Sequence, residues 1–219
     1  MNTNEDINLN NFDSILNESI ENEGLEAEII KPQEFESNDN IGLVNKQDVC
    51  LSYKISDFED DKEMDRFVKK VKSIIRNTPE YKYWVEYVKH TLNYNYCILS
   101  KESLNEVTLD VHHHPVTLET MVQATIISKM NKGQSFCSIE IAEEVLKLHF
   151  ENKVGYCVLL ASLHEKYHNG YLKISIDDIQ GNWRLFIQEF KDFITKNELD
   201  FITELASINK SDNYIIKKD

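Results

Sequence analysis

Two histidines four residues apart, His164 and His168, are the clearest candidates for chemistry in this sequence. On a helix this spacing places both side chains on one face, one turn apart, so both imidazoles can reach a single zinc ion at about 2.0 to 2.1 Å. Gly170 stands where a helix stop is expected, and Ser162 with Glu165 has the form of a capping box. The pattern therefore predicts a short helix that carries a bidentate metal site.

A second group of histidines, His112, His113 and His114, precedes a proline at the end of a β-prone run. In a regular strand His112 and His114 would share a face and His113 would lie opposite. At a strand end the alternation can break, so that adjacent side chains turn into one site. The sequence permits either pair as the functional one. We expect His112 to join His164 and His168 on one ion.

The acidic charge of the chain is concentrated at its N-terminus. The net charge of the 219 residues is -14, yet residues 1–61 hold 16 acidic residues and three lysines, and residues 62–219 are almost neutral at -1. A neutral body can carry a local basic face, so the total charge does not exclude binding to nucleic acid. We interpret residues 1–61 as a mostly disordered tail that keeps the protein soluble. The alternative is an acidic mimic of nucleic acid, which masks a basic surface or recruits a protein partner.

The cysteines and the hydropathy pattern indicate the cellular compartment in which the protein is expected. Four cysteines stand singly, without a CxxC pair, which excludes a zinc knuckle and favours free thiols in a reducing compartment. No secretory leader is evident, and no apolar run approaches the roughly 20 residues that span a bilayer. We expect a cytoplasmic protein without a membrane partner. Abundant Asn, Ile, Lys and Tyr indicates an AT-rich genome, such as that of a bacteriophage, which would place the protein in the host cytoplasm.

The first amphipathic helix, within residues 62–93, has a basic polar face. Lys69, Lys70, Lys72 and Arg76 on that face are candidate contacts to the phosphates of a nucleic acid. The alternative is a solvated surface, which is the more common role of a charged face opposite an apolar stripe.

Turn and cap residues place the remaining elements. Two short runs, 94–99 and 107–111, predict a β-hairpin. Thr78, Thr117 and Ser138 are predicted N-caps of three helices. A further strand is predicted at 172–176, and C-terminal helices are predicted at 183–194 and 198–208.

One stretch resembles a known family. Leu109-Asp110-Val111-His112-His113-His114-Pro115 resembles the hydrophobic-acid-hydrophobic-His-His-x-Pro stretch of HNH, or ββα-metal, endonucleases, which include the colicin DNases. Residues 159–170 resemble the helix that closes the metal site of that family, and residues 96–100 resemble its first hairpin strand. The resemblance covers residues 94–176 and requires a helical insertion at 117–150.

The resemblance implies a role for each matching residue. His112, His164 and His168 become ligands of a divalent ion, which is zinc, magnesium, manganese or nickel, and His113 becomes the general base. Asn152 is the nearest candidate for the asparagine that orients the base, although it stands a few residues upstream of the usual place. The implied activity is hydrolysis of phosphodiester bonds in nucleic acid, with DNA as the expected partner, in which the base takes a proton from the attacking water.

Two other functions are compatible with the same residues. His164-Glu165-Lys166-Tyr167-His168 also matches the HExxH motif of zinc peptidases, in which Glu165 would activate water and Glu189 is a possible third ligand. That function leaves His112 and His113 without a role. The other alternative is a catalytically inactive, metal-stabilised module that binds DNA or protein through the basic helix.

We predict an α+β protein, mostly helical, with a ββα-metal-like hairpin and helix at its centre. The predicted organisation is an acidic tail at 1–61, a helical segment with a basic face at 62–93, an HNH-like domain at 94–180 with a helical insertion at 117–150, and a C-terminal helical cap at 181–219.

Overall fold

The computed structural model describes Phe58 and residues 61–206. Apart from Phe58 and Asp61, the predicted acidic tail lies outside the described residues, as does the chain after residue 206. The described elements, in chain order, are α1 (Asp61–Asn77), α2 (Pro79–Glu86), a π-helical turn (Tyr87–Thr91), β1 (Leu109–His113), α3 (Leu118–Asn131), α4 (Ser138–Phe150), β2 (Tyr156–Leu160), α5 (Ala161–His168), a 3-10 turn (Ile176–Asp178), α6 (Trp183–Phe190), a second 3-10 turn (Lys191–Phe193) and α7 (Lys196–Ala206).

A two-stranded antiparallel sheet and the helix that follows it form the centre of the described fold. β1 pairs with β2 in a register that runs from Leu109 opposite Leu160 to His113 opposite Tyr156. α5 begins at Ala161, directly after β2. The helices α3 and α4 lie between the two strands in the sequence. The predicted fold class, mostly helical with a small ββα centre, is confirmed.

The N-caps of the helices follow local sequence signals. The backbone N–H of Tyr81 donates to the hydroxyl of Thr78 at 3.2 Å, and the N–H of Thr120 donates to Thr117 at 3.1 Å, as predicted. Such caps each stabilise a helix by about 1 kcal/mol. The third cap differs by one position, because α4 starts at Ser138 itself and is preceded by Cys137.

The apolar stripe of α1 anchors that helix to the core. Phe67, Val68, Val71 and Ile75 are buried, and α1 packs against α3 and α4. Burial of each such side chain contributes about 1.5 to 3 kcal/mol, so the orientation of the helix about its axis is strongly determined. The polar face of α1, including Arg76, is consequently held in a fixed direction.

The end of β1 and the start of β2 approach closely at Gly155. The N–H of His114 donates to the carbonyl of Gly155 at 3.0 Å. A Cβ at position 155 would stand 2.2 Å from the carbonyl oxygen of His114 and 2.8 Å from the Cβ of Trp183. Only glycine fits this position without displacing backbone, so Gly155 fixes where the run of three histidines lies.

The strand partner of β1 was predicted wrongly. Residues 94–99 form no strand, and Tyr96 makes only an isolated bridge to Ser103. The N–H of Ile98 donates instead to the carbonyl of Val158 at 2.9 Å, beside the outer edge of β2. The true partner of β1 comes 43 residues after its end, from Tyr156 onward. A pairing between such distant segments leaves no local signal in the sequence.

Two smaller predictions are also wrong. Residues 172–176 form no strand, because Ser175 caps a 3-10 turn by accepting from the N–H of Asp177 at 3.3 Å. α5 has no side-chain cap, and its N-cap is Leu160. The helix continues directly from β2, so Ser162 already lies within its first turn and forms no capping box with Glu165.

The described cysteines differ in whether they are free thiols or disulfide-bonded. Cys97 and Cys157 are free and buried, as expected. Cys137 is disulfide-bonded, which contradicts the expectation of free thiols throughout.

Among the described residues no helix is both long and apolar enough to cross a membrane.

Candidate metal centre

Three imidazoles meet at one side of the ββα unit. Nδ1 of His112 lies 2.9 Å from Nε2 of His164, and Nε2 of His168 lies 2.9 Å from the same atom of His164. His112 comes from β1, whereas the other two come from α5, where their four-residue spacing places them on one face. The predicted convergence of His112, His164 and His168 is therefore found in the structure.

The chemistry of these three donors fits a metal ion. Their ligand atoms lie within 4.8 Å of one another. Two ligands of a tetrahedral zinc ion, each about 2.0 to 2.1 Å from the metal, are separated by about 3.3 Å. The two pairs that include His164 would open by a few tenths of an ångström from 2.9 Å, whereas the donors of His112 and His168 would approach each other by up to about 1.5 Å. Nε2 of His164 has one lone pair and cannot accept two good hydrogen bonds at once, whereas a metal ion accepts all three donors.

Asp110 orients the middle ligand. Its carboxylate oxygen Oδ2 lies 3.1 Å from Nδ1 of His164. A carboxylate only accepts at neutral pH, so Nδ1 carries the proton and Nε2 presents its lone pair to the cluster. Such carboxylate–histidine pairs are typical of protein metal sites. The sequence shows Asp110 only as the acidic residue of the stretch before the three histidines, and its contact with His164 was not predicted.

The three imidazoles differ in exposure. His112 is buried, and burial, followed by the charges of the neighbouring histidines, lowers its pKa to about 2. His168 is exposed at the rim, and its pKa is also lowered, by partial burial and then by His164. Both rings are therefore neutral at pH 7, the form that binds metals. The cluster has a closed inner side and an open outer side.

His113 lies on the other face of β1 from His112. Its Nε2 is 2.9 Å from Nε2 of His149, a residue of α4 that the sequence analysis did not consider. Its ring stacks on Trp84 with centroids 5.6 Å apart and an interplanar angle of 12°. Burial, followed by the charge of His149, lowers the pKa of His113 well below its usual value. Of the three consecutive histidines, His113 alone is separated from the metal cluster by the alternation of the strand.

His114 has a structural role. It lies on the same face as His112, with ring centroids 6.1 Å apart. Its Nε2 donates to the carbonyl of Ile174 at 3.1 Å, and its Nδ1 accepts from the hydroxyl of Tyr167 at 2.9 Å. These two bonds satisfy both ring nitrogens of a buried imidazole and tie α5 to the core beside the metal cluster.

An open cavity of about 670 Å³ joins these residues. Its lining includes all three candidate ligands, His113, and two side chains from the basic face of α1, Lys72 and Arg76. Lys72 is ion-paired with Glu119 at 2.5 Å. The charge of Arg76 contributes to lowering the pKa values of both His113 and His168. The charge of Arg76 therefore acts both on His113 and on His168 of the metal cluster.

The four predicted phosphate-binding residues of α1 divide into two pairs. Lys72 and Arg76 line the cavity, one helical turn apart. Lys69 and Lys70 are exposed and are not part of the cavity wall. The structure therefore brings two of the four candidates to the histidines and leaves the other two on the outer surface.

Asn152, predicted as the orienting asparagine, lies in the turn after α4 and not in the cavity wall. It adopts a positive φ of 53°, its N–H donates to the carbonyl of His149 at 3.1 Å, and its carbonyl accepts from the N–H of Asn182 at 3.0 Å. The residue that contacts His113 is His149. The signal that could have found it is its place four residues after Val145 on an apolar helix face, where a polar side chain requires a partner.

Two residues of the peptidase alternative lie apart from the cluster. Glu165 is exposed on α5 and does not line the cavity. Glu189 pairs with Lys153 at 2.8 Å on α6 and lines a different depression of the surface. The third histidine, His112, occupies the position that this alternative assigned to Glu189.

These features define an α+β protein with a candidate three-histidine metal centre inside a ββα unit. The chain belongs to the family of bacteriophage G278-like virion proteins, whose profile matches residues 15–218. The expected bacteriophage origin is thereby confirmed. Neither the curated proteins nor the solved structures include a significant match.

Proposed function

We propose that this virion-family protein is a metal-dependent endonuclease that hydrolyses phosphodiester bonds in nucleic acid, with DNA as the preferred substrate. One observation carries the proposal: a single cavity is lined by the three-histidine cluster, by His113 and by the cationic residues Lys72 and Arg76. A metal centre, a candidate base and cationic groups are the components that phosphodiester hydrolysis requires.

The donor set favours one class of ion. His112, His164 and His168 offer three neutral nitrogen ligands, which suit zinc or nickel better than magnesium or manganese, since these two ions prefer oxygen. The exposed side of the cluster leaves room for further ligands. A divalent ion bound there would supply Lewis-acid stabilisation of the charge that develops on the phosphate and on the leaving oxygen.

His113 supplies the base in this proposal. The side chains of His112 and His113 point to opposite faces of β1, yet both line the cavity. A phosphodiester bound across the end of β1 would place one oxygen on the side of the three metal ligands. The attacking water would lie on the other side, next to His113. Burial lowers the pKa of His113, so its imidazole is neutral at pH 7 and can accept a proton, as a weaker base than a free histidine.

Lys72 and Arg76 supply the attraction for a polyanion. They extend from α1 over the same cavity, and the buried apolar stripe of that helix holds them in place. Each neutralised phosphate releases counterions, so these two side chains make binding dependent on salt. Glu119 already pairs with Lys72, and Glu198 also lines the cavity, so the favourable region for a phosphate lies near Arg76.

The decisive experiment compares a variant of His113, the proposed base, with a variant of Glu165, the residue that would activate water in a peptidase. After treatment with a chelator, the purified protein is supplied with zinc, nickel, manganese or magnesium and incubated with DNA or with RNA. We expect cleavage that requires the added ion. His113→Ala should retain metal binding and lose activity by about 10²- to 10⁴-fold, the usual contribution of a general base. Glu165→Gln, at an exposed position outside the cavity, should leave cleavage intact.

The same variants identify the other two functions. A zinc peptidase would cleave an unstructured protein substrate and would lose that activity with Glu165→Gln. An inactive binding module would bind the metal and DNA and would turn over neither substrate. Either result, or equal activity of His113→Ala and the wild type, contradicts the proposed nuclease.

A further inference from the structure

His149 is a buried histidine whose protonated nitrogen is set by a backbone carbonyl. It lies in the last turn of α4 with 0% of its surface exposed. Its Nδ1 is 2.7 Å from the carbonyl oxygen of Val145. A carbonyl can only accept, so Nδ1 of His149 carries the proton. Burial lowers the pKa of this ring to about 4, so it is neutral at pH 7 and its Nε2 is a bare acceptor.

That acceptor determines which nitrogen of His113 is protonated. The two Nε2 atoms are 2.9 Å apart, and since His149 accepts, His113 must donate from Nε2. A neutral imidazole carries one proton, so the lone pair of His113 is on Nδ1. A chain of two hydrogen bonds, from the carbonyl of Val145 through His149 to His113, therefore selects one tautomer of His113.

Aromatic contacts hold both rings in this orientation. Trp84 stacks on His113 and meets His149 edge-on, with centroids 4.7 Å apart and an interplanar angle of 87°. Tyr81 makes the same two kinds of contact, with centroids 6.1 Å from His113 and 5.7 Å from His149. A flip of either ring would break a buried hydrogen bond, and the rotation is blocked by the neighbouring rings.

We propose that His149 is the positioning residue of the base: it holds His113 in the tautomer protonated at Nε2 and so presents Nδ1 to the cavity. The inference rests on the proposed nuclease function and gives His149 the role for which the sequence suggested Asn152. In the reaction, Nδ1 of His113 takes a proton from water, the water oxygen bonds to phosphorus, and the bond from phosphorus to the leaving oxygen breaks with its electron pair on that oxygen. His149 exchanges no proton.

A spectroscopic test addresses the tautomer without any substrate. The ring nitrogens of the full-length, zinc-loaded protein are observed by ¹⁵N NMR, and the signals of His113 are assigned by their loss in His113→Ala. We expect Nε2 of His113 to be the protonated nitrogen and Nδ1 to be the unprotonated one. The opposite assignment overturns the inference, whether or not the protein is a nuclease.

A kinetic test addresses the consequence. His149→Phe retains a buried ring and removes the acceptor, whereas His149→Gln offers a side-chain carbonyl that can accept from His113. We expect His149→Phe to lower kcat at least about tenfold, because the base loses its orientation, with KM and metal stoichiometry unchanged. His149→Gln should recover part of this loss. His90→Gln, at an exposed histidine on the π-helical turn, is the matched control.

The nuclease function and the positioning role of His149 can fail separately. If the wild type cleaves no nucleic acid, the proposed function fails and the NMR result still decides the tautomer. If the wild type cleaves and His149→Phe retains full kcat, the positioning role fails and the nuclease stands. Should His149→Phe not fold, the comparison of His149→Gln with the wild type and the NMR assignment decide the inference.

Discussion

Asp110 and His164 form a carboxylate–imidazole pair in which Oδ2 lies 3.1 Å from Nδ1. The two residues are 54 positions apart and meet because β1 and α5 belong to one ββα unit. The carboxylate fixes the tautomer of His164 and the orientation of its ring towards the cluster. A ligand that is oriented in advance binds a metal more tightly than one that must first rotate.

Asp110→Asn should therefore weaken zinc binding by about 10- to 100-fold, the usual effect of losing such a partner. The amide can still contact His164, so the fold should be retained. The measurement is titration calorimetry with a competing chelator, alongside circular dichroism. Asp192→Asn, at an exposed acid on the second 3-10 turn, is the matched control. Unchanged affinity in Asp110→Asn would show that the carboxylate contributes nothing to the site.

The metal itself should stabilise the fold through α5. His164→Ala combined with His168→Ala should abolish stoichiometric zinc uptake, because a single remaining imidazole cannot chelate. In the wild type, zinc at 100 times its Kd should stabilise the folded state by about 2.7 kcal/mol, which is visible as a higher Tm. The double variant should show no such shift, and His90→Ala should behave as the wild type. Unchanged uptake by the double variant would place the metal elsewhere.

Features that depend on neighbours in the sequence were predicted from the sequence. The caps at Thr78 and Thr117, the apolar stripe of α1 and the pairing of His164 with His168 are all set within one or two helical turns. The contribution of His112 to the same site followed from the resemblance and from its place at a strand end. These signals are local, so they remain visible without knowledge of the fold.

Contacts between distant segments were not predicted. The partner of β1 is β2, and a hairpin with residues 94–99 was the wrong choice because short β-prone runs do not encode their partners. The pairing of His113 with His149 depends on how α4 packs against the strand, 36 residues further along the chain. The starting point of α5 also depended on β2, since a helix that continues a strand needs no capping side chain.

Acid should destabilise the protein partly through His149. Its pKa is lowered from 6.5 to about 4 by burial, and the ring of an unfolded chain is expected to keep the ordinary value. Stability from the neutral ring is fully present above pH 6.5 and is lost as the pH falls towards 4, because the unfolded state then binds the proton and the folded state does not. The loss between pH 7 and pH 4.5 is on the order of 2 to 3 kcal/mol for this residue.

The measurement is urea denaturation at both pH values in the presence of a chelator. His149→Phe should be less stable than the wild type at pH 7, since His113 loses its acceptor, and yet its free energy of unfolding should fall less between pH 7 and pH 4.5. His90→Phe, whose position is exposed, should retain the slope of the wild type. An equal pH dependence of the wild type and His149→Phe would mean that other groups account for the acid sensitivity.

The division of the basic face of α1 gives the last prediction. Arg76 lines the cavity and affects the pKa values of His113 and His168, whereas Lys69 is exposed on the outer surface of the same helix. If nucleic acid binds in the cavity, Arg76→Ala should weaken binding and reduce the slope of log affinity against log salt by about one, the effect of one lost phosphate contact. Lys69→Ala removes the same charge from the same helix, so it is the matched control, and its slope should stay near that of the wild type. Equal losses in the two variants would indicate that nucleic acid contacts the whole face of α1 without entering the cavity, and the histidine cluster would then not be the site of cleavage.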